Sequence, residues 1–129
     1  MIDIVPTVLE LSGAKYPASM NGNEIQPLEG ISLMPTFDNK TVDRKLVFWE
    51  HQANRALRMG NWKLVAKTIS PKKFTKADEN AWELYNLEQD PSEVNNLASI
   101  YPEKVKEMSE IWKKEALRTK ALPWPWDKN

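Results

Sequence analysis

Gly60-Asn61 is the pair of residues that most restricts how this chain can fold. It links Arg55-Ala56-Leu57-Arg58-Met59 to Trp62-Lys63-Leu64-Val65, and both of its residues tolerate the positive φ that two-residue hairpin turns demand. Alternation in the first run puts Arg55, Leu57 and Met59 on one face and Ala56 and Arg58 on the other. Upstream, Leu46 to His51 is a β-rich run, apolar enough to be covered on both faces, and Gln52 to Asn54 form a short turn. Downstream, residues 66 to 81 are polar and carry Lys67, Pro71, Lys72, Lys73 and Lys76, which predicts a loop. Trp82-Glu83-Leu84-Tyr85-Asn86-Leu87 then alternates cleanly as a fourth strand. After a turn at Gln89 to Ser92, Tyr101-Pro102-Glu103 opens a helix running to about Lys120. Its stripe of Val105, Met108, Trp112 and Ala116, widened by Ile111, suits one face of the sheet. Pro123 to Trp126 ends the pattern as an extended tail. The expected fold class is α+β, a four-stranded antiparallel sheet packed by a long C-terminal helix.

The first 44 residues do not belong to that pattern. Residues 3 to 13 predict a short helix with Asp3 as N-cap, Pro6 in the first turn and Gly13 as C-cap. Ile4, Val5, Val8, Leu9 and Leu11 leave it apolar around most of its girth, so it needs a large neighbour. Residues 14 to 31 hold Pro17, Gly22, Pro27 and Gly30 and predict an irregular strap, with one helical turn within Ser32 to Phe37. So long an irregular stretch argues against independence. Residues 1–44 are therefore expected to be trailing elements of something larger, and 45–129 a subdomain.

Composition removes several function classes. Lys plus Arg (18) equals Asp plus Glu (18), which gives no support to nucleic-acid binding. No apolar run approaches the roughly 20 residues of a membrane span, and Met1 to Gly13 lacks the basic start of a signal peptide. Cys is absent and His51 is the sole histidine, which excludes thiolate zinc sites, a cysteine nucleophile and any mechanism needing two imidazoles. Six Trp in 129 residues point to large packing anchors.

No phosphate loop, nucleophile elbow or metalloprotease helix is present, and no catalytic or metal-ligating residue is assigned. The best polar cluster is Glu50 to Arg55. In one reading His51, Asn54 and Arg55 project from a sheet edge toward an anionic or hydroxylated ligand, arginine offering a planar fork of donors. In the other this is a turn with a capped Asn and a surface ion pair. The Lys67 to Lys76 loop and the Trp124 and Trp126 rings admit the same two kinds of reading, anion or sugar contact against solvation or packing.

Taken in order, the motifs resemble a known family. Asp3-Ile4-Val5-Pro6-Thr7-Val8-Leu9, then Leu28-x-Gly30-Ile31-Ser32-Leu33, then Trp49-Glu50-His51-x-x-Asn54-Arg55-Ala56-Leu57-Arg58-x-Gly60-x-Trp62-Lys63-Leu64-Val65, then Trp82 to Leu87, Asp90-Pro91-x-Glu93 and Asn96-Leu97-Ala98, are similar to the end of formylglycine-dependent arylsulfatases. The resemblance implies an alkaline-phosphatase-like enzyme whose large catalytic α/β domain lies outside these residues and acts as this chain's partner. It implies calcium and formylglycine in that domain, none in this chain, and periplasmic or secreted localisation. The family's Cys- or Ser-x-Pro-x-Arg motif does not occur here, so the chain is expected to be inactive alone, with His51, Asn54 and Arg55 on the substrate side. Left by itself it is expected to self-associate or to leave residues 1 to 40 poorly ordered. A stand-alone protein- or glycan-binding module is the competing reading. The same subdomain of a phosphodiesterase or phosphonate hydrolase is a further one.

Overall fold

Alternating hydrophobicity is satisfied here by a meander. The computed structural model describes residues 2–68 and 81–124. The chain divides into two compact units, Met1–Arg44 and Lys45–Asn129.

In the second unit, β3 (Val47–His51), β4 (Asn54–Met59), β5 (Trp62–Ala66) and β6 (Glu83–Asn86) form one antiparallel sheet in sequence order. Phe48, Leu57, Leu64 and Leu84 stand opposite one another across all four strands. The three leucines of this row are fully buried, and each contributes on the order of 2 kcal/mol by leaving water. Above them lies α3 (Pro102–Arg118), which places Met108, Trp112 and Ala116 on the row. Pro102 starts this helix without cost because the first N–H has no intrahelical acceptor. The Trp112 ring is 5.5 Å from that of Phe48 and 5.8 Å from that of Trp82, and its indole N–H donates to the Trp49 carbonyl at 3.1 Å. The expected α+β fold with its meander and covering helix is what the structure contains. At the β4–β5 turn only Gly60 has positive φ, so the turn follows the pattern with glycine in the first central position.

Two motifs of the sequence finish the edge strand β6. Asn96 Oδ1 accepts from the Leu84 N–H at 3.1 Å and the Ala98 N–H at 2.9 Å. Asp90 Oδ2 accepts from Val94 N–H and Asn95 N–H at 2.9 and 2.7 Å.

In the first unit, α1 (Ile4–Ser12) ends at Gly13 with φ 68°, as the C-cap reading expected. Asp3 occupies the N-cap position, but its carboxylate makes no cap hydrogen bond. It accepts instead from the Ile31 N–H at 3.0 Å and pairs with Arg44. Burial pushes the Asp3 pKa up, but those partners outweigh it and hold the group below the ordinary carboxylate value. Thr7 Oγ1 accepts from the Leu33 N–H at 2.9 Å, so the strap runs along this helix. The expected single turn is α2 (Met34–Phe37). Within the strap, β1 (Ser19–Met20) and β2 (Asn23–Glu24) form a small hairpin, which the irregular reading missed. Its turn, Asn21-Gly22, has positive φ at both residues.

Candidate functional site

Strand alternation decides how the proposed trio is displayed. His51 and Asn54 are the last paired residues of β3 and β4, so they flank the turn on one face of the sheet. His51 is exposed and Asn54 half-buried. The turn is Gln52–Ala53, one residue shorter than expected, with φ 51° and 64°. Neither residue is glycine, and the left-handed region costs such residues about 1–2 kcal/mol each. Side chains offset that cost. Glu50 Oε1 accepts from the Ala53 N–H at 2.8 Å. Asn54 Nδ2–H donates to the His51 carbonyl at 3.0 Å, and Asn54 Oδ1 accepts from the Thr68 N–H at 3.0 Å.

Arg55 does not join His51 and Asn54. It lies on the opposite face, only 4% exposed, with its guanidinium carbon 4.4 Å from the Trp82 ring centre and 5.7 Å from that of Trp112. The planar cation is stacked inside the aromatic core. Consecutive strand residues must point to opposite faces, so the projection of all three from one edge is corrected by the alternation itself. Trp124 also packs inside, at 6% exposure, and donates its indole N–H to Glu50 Oε1 at 3.1 Å. Trp126 and residues 69–80, which carry Lys72, Lys73 and Lys76, lie outside the described residues.

Farther along the face that bears His51, a shallow depression of about 410 Å³ is lined by Trp49, Arg58, Lys63, Leu87, Pro91 and Glu93. Trp49 is 47% exposed there, so among the described residues β3 is not covered on both faces as its sequence led one to expect. Lys63 is paired with Glu93 at 2.6 Å. Nearby, Tyr85 donates to Glu83 at 2.8 Å. Burial, that bond and the charges of Glu83, Glu93 and Asp90 push the Tyr85 pKa up to about 12. The depression carries charges of both signs, Arg58 and Lys63 against Glu93, and Lys63 is already engaged by Glu93. The turn with His51 and Asn54 is the better-built polar feature.

A family model described as N-sulphoglucosamine sulphohydrolase, C-terminal, matches residues 1–121. The chain belongs to that sulfatase family. An uncharacterized sulfatase of Schizosaccharomyces pombe is 34% identical over 116 residues, covering 87% of this chain and 20% of that protein. Arylsulfatase K of Xenopus laevis is 31% identical over 120 residues, 84% of this chain and 20% of its own length. The sulfatase segment thus spans about a fifth of the length of these relatives. A solved 2-O GAG sulfatase superposes with a TM-score of 0.63 at 25% identity, over 92% of this chain and 24% of its own. A protein solved in complex with its substrate D-glucosamine-2-N,6-O-disulfate shares the fold, with a TM-score of 0.64 at 24% identity over 98% of this chain and 25% of that one. The resemblance to the C-terminal segment of sulfatases is thereby borne out.

The calcium and formylglycine implied by that family do not fit the residues described. Among them no group of three His, Cys, Asp or Glu side chains could hold a metal ion. The sequence has no cysteine to mature, and none of its serines stands in a Ser-x-Pro-x-Arg motif. Among the described residues no helix is long and apolar enough to cross a membrane.

Proposed function

We propose that this chain is the cleft-flanking C-terminal segment of a sulfuric ester hydrolase, inactive alone, whose calcium and formylglycine belong to a catalytic domain outside these residues. The single observation that carries the reading is the family match over residues 1–121 in a chain spanning about a fifth of its relatives. In this reading residues 1–44 are trailing elements of the catalytic domain. Ile4, Val8 and Leu11 of α1 are each more than half exposed, and a buried partner surface would explain that apolar display. Residues 45–129 are the subdomain that presents His51 and Asn54 to the non-sulfate part of the substrate, while Arg55 holds the aromatic core behind them. Two of the structural relatives are described by a sulfated glucosamine substrate and by glycosaminoglycan sulfatase activity, which supports sulfated sugars as the substrate class.

The test compares this chain with a polypeptide joining it to a catalytic domain that bears the nucleophile motif. With an aryl sulfate and a sulfated glucosamine, the joined protein turns over and the chain alone stays at background. Turnover by the chain alone overturns the proposal. In the joined protein, His51→Ala is expected to raise KM about fivefold, the equivalent of one hydrogen bond of about 1 kcal/mol.

A further inference from the structure

The turn beside His51 uses Gln52 and Ala53 where Asn-Gly would adopt the same φ values at less cost. Its geometry is held from three parts of the chain, the adjoining strand and two segments distant in sequence. From β3, Glu50 Oε1 accepts the Ala53 N–H at 2.8 Å. From just past β5, Thr68 donates its hydroxyl to the Ala53 carbonyl at 2.9 Å and its N–H to Asn54 Oδ1 at 3.0 Å. From the C-terminal tail, Trp124 donates its indole N–H to the same Glu50 oxygen at 3.1 Å. Ala53 is completely buried in the core cluster, so its methyl group is pinned as well. A left-handed pair kept in place by clamps on both its N–H and C=O sides is over-determined, the condition under which strain is retained at functional positions.

We infer that Glu50, Thr68 and Trp124 are positioning residues that fix the Gln52–Ala53 turn and so set the presentation of His51 and Asn54 to substrate. The inference rests on the substrate-side reading of that edge. It extends the edge to residues that touch no substrate, among them Trp124, which reaches Glu50 across 74 positions of sequence. Thr68 is the sharpest member because its hydroxyl bonds Ala53 of the turn and its amide bonds Asn54, the next residue and the first of β4. Glu50 couples the turn to the tail, so loss of the Trp124 N–H is felt at Ala53 through one shared oxygen.

The experiment uses Thr68→Val, which deletes the hydroxyl, with Thr68→Ser as the rescue and Trp124→Phe as the second arm. Kinetics are measured with a sulfated glucosamine on the sulfatase that carries this chain, and amide exchange is followed at Ala53 and Asn54. Thr68→Val is expected to raise KM about fivefold with a smaller fall in kcat and to speed exchange at Ala53 and Asn54 while leaving α3 unchanged. Thr68→Ser should restore both readouts, and Trp124→Phe should act in the same direction more weakly. Exchange that is unaltered in Thr68→Val overturns the inference. So does an unaltered KM in Thr68→Val when His51→Ala raises it, and that pattern leaves the substrate-side reading standing. If His51→Ala itself leaves KM unmoved, the reading fails and the inference falls with it.

Discussion

Arg55 and Trp82 form a stacked pair, the guanidinium carbon lying 4.4 Å from the indole centre with Trp112 at 5.7 Å. This arginine is a piece of the core. A desolvated cation over an indole is worth about 2 kcal/mol, and its alkyl stem adds packing. Arg55→Ala should therefore lower the urea midpoint by the equivalent of about 2–4 kcal/mol. Arg55→Lys should recover only part of that, because an ammonium lacks the flat face. His51→Ala should leave the midpoint nearly unchanged. A large stability loss for His51→Ala with none for Arg55→Ala would reverse the assignment of the two residues.

The difference between those residues was partly legible before any coordinates. The alternation that grouped Arg55 with Leu57 and Met59 already set it against Asn54, its neighbour in sequence. Grouping the three polar residues by chemical type hid what the period-2 pattern said. The meander and its covering helix were legible because Leu57, Leu64, Leu84 and the Met108–Trp112–Ala116 stripe repeat at the spacing their elements require. The β1–β2 hairpin was overlooked because its strands are two exposed residues each, too short to alternate, although Asn21-Gly22 was a usable turn signal. Asp3 was assigned by local capping rules, whereas Ile31 and Arg44 claimed its carboxylate from 28 and 41 residues away. The packing of Trp124 was among the readings its sequence allowed, but its bond to Glu50 and those of Thr68 to the turn were illegible for the same reason. Nothing local marks a side chain whose partner lies on another element.

Tyr85 supplies a pH prediction whose sign follows from its surroundings. Burial first, then the bond to Glu83 and the charges of Glu83, Glu93 and Asp90, raise its pKa from 10.0 to about 12. The raised folded value means that the neutral phenol is the form the fold favours. Its stabilising contribution is present in full below about pH 10 and is lost as pH climbs toward 12. Ultraviolet titration should show one tyrosine ionising near the upper end of that window. Glu83→Gln should bring that ionisation down, short of the ordinary value because burial remains. If Tyr85→Phe removes an ionisation near 10 instead of the late one, the environment described is contradicted.

Gly30 and Gly13 separate two reasons for glycine. A Cβ built on Gly30 would collide with the Ile2 carbonyl, and Asp3 N would lie 2.9 Å away. Gly13 has open space around it but φ +68°. Gly13→Ala should cost about 1 kcal/mol, the left-handed penalty for an L-residue. Gly30→Ala forces backbone apart where the strap meets the start of α1, so it should cost more. It should also release the Ile31 and Leu33 amides, which bond to Asp3 and Thr7. Amide exchange at those two positions is the measurement, and equal protection in both variants would refute the distinction.

Asn96 tests how the exposed edge of the sheet is finished. β6 pairs with β5 on one side. On the other, the backbone of Leu84, whose side chain is fully buried, meets Asn96 and Leu97. Asn96 Oδ1 takes the Leu84 N–H, and the Leu97 N–H donates to the Leu84 carbonyl at 2.8 Å. The pair of bonds imitates a further strand for one residue, which blunts an edge that would otherwise invite pairing with another chain. Both hydrogen bonds to the Asn96 side chain end on its oxygen, so the amide nitrogen is dispensable for them. Asn96→Asp should be nearly neutral in stability, whereas Asn96→Ala should cost about 1–3 kcal/mol by leaving the Leu84 and Ala98 N–H groups without that acceptor. Asn96→Ala should also increase concentration-dependent association, read by light scattering, because the edge donor at Leu84 becomes available. If Asn96→Asp destabilises the chain as much as Asn96→Ala does, the side chain is acting through its amide nitrogen and the edge is closed by some other means.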